Sequence, residues 1–123
     1  SVKKILSDKS KNIVKDETIK DVKVRFQKVI DLPTKDLRNL VDKGKKEILD
    51  GIVVIFAIQD EKIGLAVGIT EKLTSKYDAV KFVKIGSDII GGKGGGGRQD
   101  FAQAGGILKD KIDEAFDKIK SLI

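Results

Sequence analysis

The chain has 123 residues, enough for one domain with a real core, and a formal charge of +6 from 25 basic and 19 acidic residues. It contains no cysteine and no histidine, which excludes a disulfide framework, thiolate zinc sites and the commonest general base. Its 40% hydrophobic content includes no apolar run long enough to span a bilayer and no secretory leader, and a cytoplasmic setting is expected.

Residues 1–20 are rich in Lys, Asp and Ser. Val2, Ile5 and Leu6 have brief helical spacing, so this stretch is expected to be the remnant of an upstream helical segment or a disordered lead-in. The lack of any methionine, with Ser1 first, suggests a piece of a longer polypeptide, removal of an initiator methionine being the alternative. The globular domain is then 21–123. From Asp21 to Ile30, Val22, Val24 and Phe26 alternate with Lys23, Arg25 and Gln27, the pattern of a half-buried strand. Asp31-Leu32-Pro33-Thr34 stops it. Thr34 can cap a helix with the apolar stripe Leu37, Leu40, Val41 and Ile48, Asp36 in its first turn and Lys45 and Lys46 near its end. Gly51 breaks the chain again.

Ile52 to Ile58 is short, apolar and β-branched, which predicts a central strand buried on both faces. After the turn-like Gln59-Asp60-Glu61-Lys62, Ile63 to Ile69 predicts a returning antiparallel strand, with Gly64 and Gly68 marking close packing or a bulge. Thr70 or Asp78 can open the next helix, with Ala79, Phe82, Val83, Gly86 and Ile90 on one face and Gly91-Gly92 at its end. Leu108, Ile112, Ala115, Phe116, Ile119 and Leu122 predict an amphipathic helix to the C-terminus. The order is β-α-β-β-α-loop-α, with a possible short strand at 101–104. This is an α/β (α+β) fold, a small mixed sheet packed by helices.

Eight of the 13 glycines fall within 91–106. Glycines without Cβ atoms let a ligand reach the backbone, and a run of their N–H groups can bind an anion, here flanked by Lys93 and Arg98. A flexible linker is the competing reading. Gly92-x-Gly94-x-x-Gly97 formally matches a dinucleotide fingerprint, but a helix precedes it where a strand is required. A P-loop needs Lys-Ser/Thr after the last glycine, where Arg98 and Gln99 stand. Asp60-Glu61 and Asp113-Glu114 read as solvated faces. Phe101, beside the glycines, is a candidate for base stacking or for anchoring the loop.

The run from Gly91 to Gly106, GGKGGGGRQDFAQAGG, resembles the signature of the C-terminal domain of bacterial alanyl-tRNA synthetases. Asp36-Leu37-Arg38-Asn39-Leu40-Val41-Asp42 and Leu65-Ala66-Val67-Gly68-Ile69-Thr70 match the same domain in the same order, so the resemblance covers roughly 20–122. That domain is similar to the DHHA1 module of DHH phosphoesterases, in which a histidine commonly follows the glycines. Here Arg98 takes that place. The resemblance implies a non-catalytic module that holds the elbow of tRNA(Ala) while other domains aminoacylate and edit. It implies no cofactor or metal in this domain, with ATP, magnesium and zinc used elsewhere in such an enzyme. The nucleic-acid-binding residues it implies are Gly92, Lys93, Gly94, Gly95, Gly96, Gly97 and Arg98, with Asp100, Phe101 and Gln103 ordering the loop or making secondary contacts. Partners would be tRNA and other domains of the synthetase, not a membrane. With the dimerising helix of such enzymes nearly absent, a monomer is expected. A phosphoesterase module for short oligonucleotides and a protein-interaction domain are the alternatives.

Overall fold

A computed structural model describes residues 12–32, 34–92 and 95–123. Its elements, in chain order, are β1 (Asn12–Ile19), β2 (Val22–Ile30), α1 (Leu37–Ile48), β3 (Gly51–Gln59), β4 (Lys62–Ile69), α2 (Ala79–Ile89), β5 (Gly95–Gly97), β6 (Phe101–Gly106) and α3 (Ile112–Lys120). The strands form one mixed six-stranded sheet in the order β1-β2-β3-β4-β6-β5. Only β2 and β3 run parallel, and α1 is the crossover between them. The expected fold class is thus observed, with two strands more than the sequence pattern showed.

The first is β1. Residues 12–19 are a strand paired antiparallel with β2, not the tail of a helix; Val2, Ile5 and Leu6 lie outside the described residues. The hairpin closes at Ile19 and Val22 through Lys20 and Asp21, both at positive φ (50° and 69°), the geometry of a two-residue turn whose twist suits flanking strands. Arg25 on β2 ties the edge down. Its guanidinium holds Asp16 of β1 at 2.8 and 3.0 Å and also pairs with Glu47 of α1. The Arg25 hydrogen bonds hold the Asp16 carboxyl below its ordinary pKa, and Asp16 and Glu47 hold the guanidinium proton more tightly than usual.

The sheet has a different core on each face. On one, Val24, Phe26, Val54, Phe56, Leu65 and Val67 pack against Phe82 and Val83 of α2 and Phe116 and Ile119 of α3. Phe26 stacks on Phe116 with ring centroids 4.3 Å apart. On the other, Val29, Val53, Ile55, Ala57 and Ala66 pack against Leu37, Val41 and Ile48 of α1. β3 is buried on both faces from Gly51 to Ala57, as its uninterrupted apolar run requires. β2 is not half-buried throughout: Gln27 is buried, and Val29 faces α1.

α1 begins after a 3-10 turn, Thr34–Asp36, with Asp36 at the cap position and no side-chain cap bond; the side chain of Thr34 lies outside the described set. Asp78 does cap α2, its carboxylate accepting from Val80 N at 2.9 Å. Thr70 has another role, its hydroxyl accepting from Gly51 N at 2.8 Å. Gly68 marks close packing, since a Cβ there would lie 2.2 Å from Val41 Cγ1 and 2.8 Å from Lys45 Cε. The final helix is shorter than its apolar pattern. Leu108 and Leu122 are exposed, and Ile123 is buried in place of Leu122.

Candidate nucleic-acid interface

Where it is described beyond Gly92, the glycine run does not form a loop. Gly95–Gly97 is an edge strand paired with β6, Gly95 opposite Ala104, Gly96 opposite Gln103 and Gly97 opposite Ala102. An extended strand directs successive N–H groups to opposite edges, so this is not the concave nest that a glycine run can make. Pairing with β6 supplies the order that these three glycines lack by themselves.

The hairpin is fixed at both ends. At its tip, Arg98 N donates to Phe101 O at 2.7 Å across the two-residue turn Gln99-Asp100. The carbonyl of Asp100 accepts from Ile69 N (2.9 Å), and that of Gln99 from Ala79 N at the start of α2 (3.0 Å). At its base, Ser87 Oγ donates to Gly105 O at 2.6 Å, and Ile107 N and Leu108 N both donate to Ile90 O at 2.8 Å. Asp100 therefore orders the hairpin through its main chain.

The glycines differ in what they do. A Cβ on Gly92 would lie 1.8 Å from Gly105 O, and one on Gly95 2.0 Å from Gln103 O, so both are demanded by packing. Gly97 has φ +152°, which side-chain residues rarely adopt. Gly96 alone of these faces open space, with nothing within 4 Å of a Cβ. Lys93 and Gly94 lie outside the described residues.

Gly96 shares the α1 side of the sheet with Phe101 and Gln103. There Arg38, Gly96, Gly97, Arg98, Asp100, Phe101 and Gln103 line a cleft of about 260 Å³. Phe101 is half-buried against the α1 core, and the Arg38 guanidinium lies 5.2 Å from its ring centroid. The phenylalanine is thus an anchor and a platform for Arg38, with that face of its ring unavailable to a base. A second cleft of about 620 Å³ meets the first at Arg98 and Asp100, and Lys45, Lys46, Leu49, Thr70 and Glu71 are among its walls. Among the described residues, no ion pair is formed by Arg38, Lys45, Lys46 or Arg98.

Arg38, Lys45 and Lys46 were not candidates from sequence. The signal was present: they are cations on the helix whose apolar stripe was legible. Their approach to a segment some sixty residues away depends on α1 crossing β3 and β4. Lys45 reaches the cleft because Gly68 lets its stem pass close to β4. Among the described residues no cluster of three or more Asp or Glu could hold a metal ion, and no helix is long and apolar enough to cross a membrane.

The edge hairpin, the mixed sheet and the helices on both faces define a DHHA1 domain: the model of that family matches 21–123, and the chain belongs to it. Its relatives point further, to the alanine–tRNA ligases. The chain is 48% identical over 103 residues to the alanine–tRNA ligase of Parvibaculum lavamentivorans, covering 83% of this chain and 12% of the ligase. It is 46% identical over 101 residues to that of Bradyrhizobium diazoefficiens, covering 81% and 11%. The chain thus spans about a tenth of the length of these relatives. The crystal structure of the C-Ala domain from Aquifex aeolicus alanyl-tRNA synthetase superposes with a TM-score of 0.82 at 29% identity, covering 88% of this chain and 96% of that one.

Proposed function

We propose that this domain is the C-terminal tRNA-binding module of an alanine–tRNA ligase, contacting the tRNA elbow and supporting aminoacylation and editing by other domains. The observation that carries the reading is the meeting of Arg38, Arg98, Lys45 and Lys46, none ion-paired among the described residues, beside a strand with no side chains. Arginine forks suit phosphate oxygens and base edges, and bare backbone at Gly96 lets the nucleic acid come close. The kinship with alanine–tRNA ligases makes tRNA the natural nucleic acid. In this reading the domain needs no cofactor, works in the cytoplasm and is a monomer when separated from the rest of the enzyme.

The test is titration of a labelled alanine tRNA with the chain and its variants at fixed salt. Arg98→Ala and Arg38→Ala each weaken binding by about 1–3 kcal/mol. Lys118→Ala, exposed on α3 across the sheet from α1, is the control and changes little. An acceptor-stem minihelix without an elbow binds poorly. Equal losses for all three variants would mean diffuse attraction to a basic surface.

A further inference from the structure

Leu49 is the most exposed large hydrophobic residue described, at 74%. It follows α1 with φ 69° and ψ −67°, and Asp50 N donates to Ile48 O at 2.8 Å across it. That is a γ-turn of the rare positive-φ kind, strained for any residue with a Cβ. Glycine would relieve it. Its side chain stands in solvent. It projects from the wall of the 620 Å³ cleft, among Lys45, Lys46 and Arg98. A strained backbone holding an apolar side chain in water costs stability with no return inside the domain.

We infer that Leu49 is a binding residue, packing on the exposed face of a terminal or unpaired nucleobase while Lys45, Lys46 and Arg98 contact the flanking phosphates. The inference rests on the tRNA-binding reading and extends that site by one residue and one kind of contact. Two observations favour nucleic acid as the occupant. The cations around the leucine have no ion-pair partners among the described residues. The cleft shares Arg98 and Asp100 with the one beside the glycine strand. A nucleotide joins an apolar base face to an anionic phosphate, which suits Leu49 beside three cations that outnumber the two acidic residues of the cleft, Glu71 and Asp100.

The experiment is Leu49→Gly and Leu49→Phe in the same chain, read by thermal unfolding and by tRNA titration over a range of salt concentrations. Leu49→Gly is expected to unfold no earlier than the parent and to bind about tenfold more weakly, the loss of one buried apolar side chain. The slope of log affinity against log salt stays unchanged, whereas Arg98→Ala lowers it by about 1. Leu49→Phe keeps or improves binding. Binding by Leu49→Gly within twofold of the parent overturns the inference. Earlier unfolding of Leu49→Gly also overturns it, since the side chain would then serve the fold. If the parent chain itself does not bind tRNA, the underlying reading fails, a result distinct from a failure of Leu49 alone.

Discussion

Gly95 and Gly96 are neighbours on the same edge strand, and valine at each should have opposite consequences. At Gly95 a Cβ would fall 2.0 Å from Gln103 O and 2.7 Å from the Cα and Cβ of Ala104. These atoms belong to the paired strand β6, so the hairpin must open or shift. Overpacking of this kind costs about 1–3 kcal/mol, and the hairpin carrying Arg98 moves with it. At Gly96 the same Cβ meets nothing within 4 Å. Valine suits an extended strand and costs the fold nothing, with a gain of a few tenths of a kcal/mol in prospect. Its methyl groups enter the cleft of about 260 Å³ between Arg38 and Arg98, where the backbone was bare. Blocking that approach removes contacts worth about 1–3 kcal/mol of affinity, or roughly fivefold to more than a hundredfold. Thermal unfolding and tRNA titration on both variants separate the effects. Gly95→Val loses stability and binding together, while Gly96→Val loses binding alone. If Gly96→Val binds like the parent, no nucleic acid lies against this strand and the proposed site is wrong.

Gly68→Ala should destabilise the domain by about 1–3 kcal/mol, because its Cβ would sit 2.2 Å from Val41 Cγ1 and drive α1 off the sheet; a lowered melting temperature is the readout. The Asp16 carboxylate is held below its ordinary pKa by Arg25, so its stabilisation is present above the unfolded-state value and is lost as pH falls through the folded one. With about half of its side chain in water, the ion pair contributes about 0.2–1 kcal/mol. The advantage of the parent over Asp16→Asn at neutral pH should therefore shrink below pH of about 4, as followed by thermal unfolding across pH. The chain by itself should neither charge tRNA with alanine nor deacylate mischarged tRNA, and light scattering at micromolar concentration should report a monomer; turnover by a carefully purified sample, or a stable dimer, would refute these expectations.

Sequence alone determined the elements whose residues carry their own periodicity. The uninterrupted apolar run of β3, the stripe Leu37, Leu40, Val41, Ile48 on α1 and the face Ala79, Phe82, Val83, Gly86 on α2 are local statements of which side is buried. The glycine motif was equally legible as a place of kinship, because its composition is so unusual. Tertiary structure alone decided the two edge strands. β1 has little apolar alternation and is held by its ladder to β2 and by Arg25, a residue nine positions away. β5 is all glycine, with no strand propensity, and exists only because β6 offers a ladder. The composition of the candidate site was likewise undecided until the chain folded. Lys45, Lys46, Arg38 and Leu49 come from the crossover helix and its last turn, Arg98 from the hairpin tip. Nothing local links them. They meet because the crossover between β2 and β3 lays α1 over the sheet and Gly68 lets it lie close.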